Sequence, residues 1–227
     1  MDNFVRLFST LALKGAVGHL ADRYQAVTGT RIDADFAPTL GLLKRLREGE
    51  TADVVILTQE GLAELVRDGS VAAASRIDLA RSYVGIAVKA GAGHPDIATE
   101  AALRATLLAA RSVAYSRIGA SGIFFAQLIE RLGVASDINA KATVTSGFTA
   151  ERLITGEADL AVQQISELKQ VPGIEVLGPI PRELQTAAVF SAGCMAASSR
   201  AAQADQLLRF LGSPEVAPVL RDSGLEP

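Results

Sequence analysis

Tryptophan is absent from this 227-residue sequence, and all aromatic residues together make up 5% of it. So sparse a complement argues against the stacking platforms that hold single-stranded nucleic acid. A basic excess is missing too. Twenty-two Lys and Arg stand against 25 Asp and Glu, for a formal net charge of −3, and no basic run offers a groove for nucleic acid. The single cysteine, Cys194, can close no internal disulfide. Its neighbours Ala192, Gly193, Met195 and Ala196 suggest a buried structural thiol. Two histidines, His19 and His94, and one thiol are too few for the usual zinc cluster, and no D-x-D-x-D pattern offers an oxygen cage. No metal and no cofactor is expected. No segment approaches the roughly 18–20 apolar residues of a membrane span. Met1-Asp2-Asn3-Phe4 lacks the basic start of a signal peptide. The chain as written is therefore expected in the cytoplasm, or in the periplasm if it is the trimmed form of an exported precursor.

What is present is ordinary for a folded chain: 49% hydrophobic and 21% charged residues, enough length for one large domain or two small ones. Apolar runs of strand length alternate with amphipathic stretches. Strands are predicted at 5–8, 31–36, 53–57, 83–88, 113–115, 141–144, 160–164 and 186–191. Helices are predicted at 11–28, 40–48, 59–68, 100–109, 121–132, 149–155, 165–169, 200–211 and 214–222. In the first helix Leu13, Val17, Leu20, Tyr24 and Val27 recur at three- and four-residue spacing, with Gly29 as the stop. Strand–helix alternation of this kind builds parallel sheets from crossover units. No repeat or flexible linker interrupts it, and the prolines at 172, 179 and 181 break the stretch after 169.

Enzyme motifs are near misses. Gly91-Ala92-Gly93 follows a strand, but Pro95 and Asp96 spoil the dinucleotide fingerprint, and a surface turn explains it better. Gly119-Ala120-Ser121-Gly122 lacks the spacing of a nucleophile elbow. His19 lies off the apolar stripe and His94 precedes a proline, so a Ser-His-acid triad has no base. Small polar residues remain, placed where strands end and helices begin: Ser9-Thr10, Pro38-Thr39, Ser116 to Gly122, Thr145-Ser146-Gly147, and Gln163-Gln164 with Ser166. Helix capping alone explains any one of them. Taken together they lie where open α/β sheets bind ligands, at carboxyl ends of strands and helix N-termini that favour anions.

The order of these segments resembles the type II periplasmic-binding-protein superfamily, in the molybdate-binding-protein-like branch that also includes aconitate isomerase. The likeness is carried by Leu7-Phe8-Ser9-Thr10-Leu11, Thr39-Leu40-Gly41, Gly49-Glu50-Thr51-Ala52-Asp53-Val54, Ala120-Ser121-Gly122-Ile123-Phe124, Gly156-Glu157-Ala158-Asp159-Leu160 and Phe210-Leu211-Gly212-Ser213-Pro214-Glu215. It implies an α/β fold of two lobes, mixed sheets flanked by helices, and a ligand cleft between them. Lobe 1 would take 1–81 with 183–227, and lobe 2 would take 82–182. It also implies that a small anion, carboxylate or oxyanion, is bound by Ser9, Thr10, Thr39, Ser116, Arg117, Ser121, Gly122, Gln163, Gln164 and Ser166. Molybdate binders of the family place a tyrosine where Gln164 stands here. An amide and the planar fork of Arg117 suit a carboxylate better. The alternative is an isomerase of a small di- or tricarboxylate, for which Glu151, Glu167 and His94 are the candidate bases by elimination. A monomer is expected, with a transporter permease as partner only if the chain is exported.

Overall fold

The computed structural model describes residues 3–227. Two compact units emerge from the chain's internal contacts, one of Met1–Ser82 with Ala188–Pro227 and one of Tyr83–Ala187.

In the first unit, β1 (Phe4–Ser9), β2 (Arg31–Phe36) and β3 (Val54–Thr58) run parallel, joined through α1 (Lys14–Thr28) and α2 (Thr39–Arg47). Behind β3 and α3 (Gln59–Arg67) come β4 (Ile77–Ser82) and, after the second unit, β10 (Ala188–Cys194), giving the order β2-β1-β3-β10-β4. The period of two along β3 divides the core. Val54 and Ile56 join Leu13, Val17, Leu20 and Tyr24 of the first helical segment, with α9 (Ala201–Leu211) and α10 (Ala217–Asp222). Val55 and Leu57 face α2 and α3 instead, against Leu42, Leu43, Leu62 and Leu65. Both faces being covered, the strand reads as a continuous apolar run. Helix α1 ends where predicted, with Gly29 left-handed at φ 68° and its N–H on the Gln25 carbonyl.

The second unit holds β5 (Val84–Lys89), β6 (Val113–Tyr115), β7 (Ala142–Val144), β8 (Leu160–Gln164) and β9 (Ile174–Pro179), ordered β7-β6-β8-β5-β9. One face packs on α4 (Glu100–Ala109), α5 (Ala120–Arg131) and α6 (Ala135–Ala140). The other carries α7 (Glu151–Ile154) and α8 (Ile165–Leu168) around Ala87, Ala114 and Ala161. The unit's entry and exit are tied by one side chain. Gln185 Oε1 accepts from Val84 N at 2.9 Å, and its Nε2 donates to the carbonyls of Val84 at 3.1 Å and Ile180 at 2.5 Å.

Both sheets are mixed, as the resemblance implied, because β10 runs antiparallel to β3 and β5 antiparallel to β8. Alternation alone predicted only the parallel parts. Strands β4 and β9 had no counterpart in the sequence reading. Each is an edge strand, and an edge needs neither two apolar faces nor every N–H, which is why Pro179 can end β9. The predicted helix 11–28 opens with a 3-10 turn at Leu11–Leu13, and 214–222 opens with another at Pro214–Val216. Helix 149–155 shrinks to one turn, and α6 was not foreseen. Val27, counted on the apolar stripe, is 70% exposed. The Cys194 thiol, expected to be buried, is half-buried, with burial still pushing its pKa up.

Candidate functional site

Within the first unit, Ser9, Thr10 and Thr39 meet at the carboxyl ends of β1 to β3. Ala37 N bonds to the Ser9 carbonyl at 3.2 Å, and Thr10 N to the Ile56 carbonyl at 3.0 Å, which fixes both loops over one end of the sheet. Ser9 is fully buried and its hydroxyl donates to the Thr10 carbonyl at 3.2 Å. Thr10 precedes a helical segment that no side chain caps, and its Oγ1 is buried with no hydrogen-bond partner. Thr39 is committed differently: its Oγ1 accepts from Thr58 N at 3.2 Å, which leaves its O–H to donate to an anion.

Parallel pairing of β6 with β7 and β8 brings Ser116, Thr145 and Gln164 to the corresponding end in the second unit. Ser116 Oγ accepts from the amides of Ile118 and Gly119, both at 3.2 Å, and so shapes the loop. Helix α5 then begins with no capping side chain and no acid in its first turn, leaving a positive N-terminal field uncompensated. Gly122 lets the helix lie on the Ser116 backbone, since a Cβ there would stand 1.5 Å from the Ser116 carbonyl oxygen. Ser121 is buried in that first turn. Arg117 is exposed and borders a cavity of about 440 Å³ with Tyr115, Ile123 and Asn139.

The two glutamines part company, because neighbours on a strand face opposite ways. Gln164 lies on the face of Leu160 and Val162, which pack with Tyr115 and Phe125 of the α5 side. Its Oε1 is buried without a partner, as is Ser166 Oγ two residues on. Gln163 lies on the α7 side and is spent internally. Its Oε1 accepts from Thr149 N at 2.8 Å and Thr149 Oγ1 at 3.1 Å, while Nε2 donates to the Gly147 carbonyl at 3.1 Å. It therefore holds the 147–149 loop, and Thr149, fully buried, is a member of this cluster that loop composition did not reveal.

The three candidate bases also separate. Glu151 is exposed, and His94 pairs with Glu175 on the surface. Glu167 alone is buried within the candidate segment, at 9% exposure. Burial pushes its carboxyl up to about 8, against a hydrogen bond from Gln163 that lowers it. Among the described residues no group of three or more His, Cys, Asp and Glu could hold a metal ion, and no helix is long and apolar enough to cross a membrane.

Known proteins share this fold. The chain is 36% identical to an aconitate isomerase from a Pseudomonas species, over 97% of this chain and 87% of that protein. The periplasmic molybdate-binding protein of Azotobacter vinelandii superposes with a TM-score of 0.85 at 16% identity, covering 98% of this chain and 99% of that one. A sulfate-binding protein of Mycobacterium tuberculosis H37Rv gives 0.78 at 14% identity, over 99% and 87%. At such identities these two structures speak to the fold alone. The family model described as bacterial extracellular solute-binding protein matches residues 5–226, and the chain belongs to that family.

Proposed function

We propose that this protein binds a small carboxylate anion at polar strand ends, the candidate residues being Ser9, Thr10 and Thr39 in the first unit and Ser121, Gly122, Gln164 and Ser166 in the second. The observation that carries the reading is the set of buried polar atoms with no partner, Thr10 Oγ1, Gln164 Oε1 and Ser166 Oγ, all at carboxyl ends of strands. An unpaired buried polar atom costs about 1–3 kcal/mol, and a ligand that pairs with it recovers that cost. Uncapped helix starts at Leu11 and Ala120 add N–H donors and partial positive charge. The Gln164 amide has both an N–H2 to give to a carboxylate oxygen and an oxygen that accepts from a ligand hydroxyl or protonated carboxyl, donors that a bare metal oxyanion lacks. Arg117 adds a fork that fits a carboxylate. Ser116 and Gln163 shape the loops that carry these groups.

Isomerisation of a small tricarboxylate by proton transfer is the second reading. It is favoured by the 36% identity to an aconitate isomerase along nearly the whole chain and by a buried acid, Glu167, within the candidate segment. A transporter permease is a partner only under the first reading, and only for a chain working outside the cytoplasmic membrane.

Thermal shift against molybdate, sulfate, citrate and cis- and trans-aconitate tests the binding reading. Stabilisation by the carboxylates, weakened about tenfold in apparent affinity by both Thr10→Val and Gln164→Leu, is the expected result. Stabilisation by molybdate alone would overturn it. Proton NMR of each aconitate isomer with the protein in deuterated water then decides between binding and catalysis, since only an isomerase exchanges the bound acid's carbon-bound hydrogen.

A further inference from the structure

Glu167 has a role that neither anion binding nor family membership assigns. It sits on the single turn of α8, one residue beyond Ser166 and three beyond Gln164, so its backbone lies within about 10 Å of that strand end. Its carboxyl meets the Gln163 amide, which in turn holds Thr149 and Gly147. Helix α8 packs against β5, β8 and β9, and Ile165 seats it on Gly85 at the start of β5. None of those strands brings a compensating charge. In β5 the cation is Lys89, four residues past Gly85, with its Nζ toward the Ile154 carbonyl. In β9 the charged group is Glu175, aligned with Val88 and bonded to His94 and Gly91 N. Strand β8 carries no ionisable side chain. On the α7 side, Arg152 pairs with Glu157 and Glu151 is exposed. On α8 itself, Lys169 follows as the C-cap and has an interaction of its own.

From this geometry we propose that Glu167 is the proton-holding positioning residue of the anion site, taking up one proton from solvent as the anion binds and keeping the Gln163–Thr149 clamp neutral while it is bound. The inference rests on the proposed anion-binding reading. A unit negative charge about 10 Å away, in an effective dielectric near 20, makes ionisation of a second acid on the order of tenfold harder. Without ligand, burial has already raised this carboxyl to about 8, so near that pH a substantial share of molecules must gain the proton on binding. Below pH 7 the proton is already in place.

Isothermal titration with tricarballylate, a saturated tricarboxylate that no allylic isomerase can turn over, tests this in HEPES and in Tris at pH 8. The apparent enthalpies are expected to differ by an uptake of up to about half a proton per site, and the Kd to rise by about threefold between pH 8 and 9 and by about tenfold in all at higher pH. Glu167→Gln should still bind, with no uptake and a flat profile up to pH 9.5. Binding without proton uptake by the wild-type protein, or uptake that persists in Glu167→Gln, overturns the role of Glu167 and leaves the anion site standing. Absence of binding by tricarballylate and by every carboxylate in the thermal-shift panel overturns both. Should Glu167→Gln fail to fold, the wild-type enthalpies and Kd profile decide alone.

Discussion

The carbonyl oxygen of Ser116 occupies the space that a side chain at Gly122 would need, 1.5 Å from where its Cβ would be. Glycine there is a requirement of the helix start and the loop together. Gly122→Ala should destabilise the protein by about 1–3 kcal/mol, as overpacking does, and should weaken any ligand held by that loop. At Gly119 the nearest atom to a Cβ is Ser116 Oγ at 3.6 Å, with φ −86°, so Gly119→Ala should change stability by roughly 0.5 kcal/mol or less. Urea titration of the pair checks the contrast, and equal losses would refute it.

Gln163→Leu should cost about 2–4 kcal/mol, since it strands the Thr149 amide and hydroxyl and the Gly147 carbonyl at once. Amide exchange should accelerate chiefly over Gly147–Thr149. Thr149→Val removes one hydroxyl shared by the Val162 carbonyl and Gln163 and should cost about 1 kcal/mol.

The raised carboxyl of Glu167 sets a sign for stability against pH. Below about 4.5 the folded and unfolded chains both hold the proton; between 4.5 and 8 only the unfolded chain releases it. The contribution therefore falls as pH rises, by up to about 1.4 kcal/mol per unit, and levels off above 8. Thermal melts of Glu167→Gln and wild type should diverge between pH 5 and 8, with the variant the more stable at the upper end. Parallel curves would contradict it.

Asp53 knits the first unit's sheet to its C-terminal segment. Its Oδ2 accepts from Arg6 N at 2.8 Å, its Oδ1 from the Ser198 hydroxyl at 2.7 Å, and Arg200 stands at 3.6 Å. Asp53→Ala leaves that part-buried amide and hydroxyl without their partner and should cost about 1–3 kcal/mol. A chemical denaturation midpoint unchanged from wild type would show the network to be dispensable.

Much of this architecture was legible because buried strands and helix stops have strong local causes. Val54–Leu57 is apolar on both faces, and Gly29 supplies a left-handed cap. Edge strands lack such a signature: Ile77–Ser82 and Ile174–Pro179 need only one neighbour and tolerate Asp, Arg and Pro. In the candidate site, position along the chain located the strand ends, yet it could not separate Gln163 from Gln164. That distinction depends on which face of β8 each side chain takes. Nor could it separate Glu167 from Glu151 or His94, because burial of an acid is set by elements distant in sequence.

The carboxamide of Gln185 bonds to Val84 much as a neighbouring strand's backbone would. Strands β4 and β10 pair from Ser82 with Ala188 onward, so the whole of residues 83–187 is topologically the turn of one β-hairpin. Closing a loop of that length at random carries a large entropic cost. If the inserted unit folds first, Gln185 has already brought its two ends together, and the outer hairpin zips as though its turn were short. In that order of assembly, inner unit before outer, one side chain shortens the loop that the outer hairpin has to close.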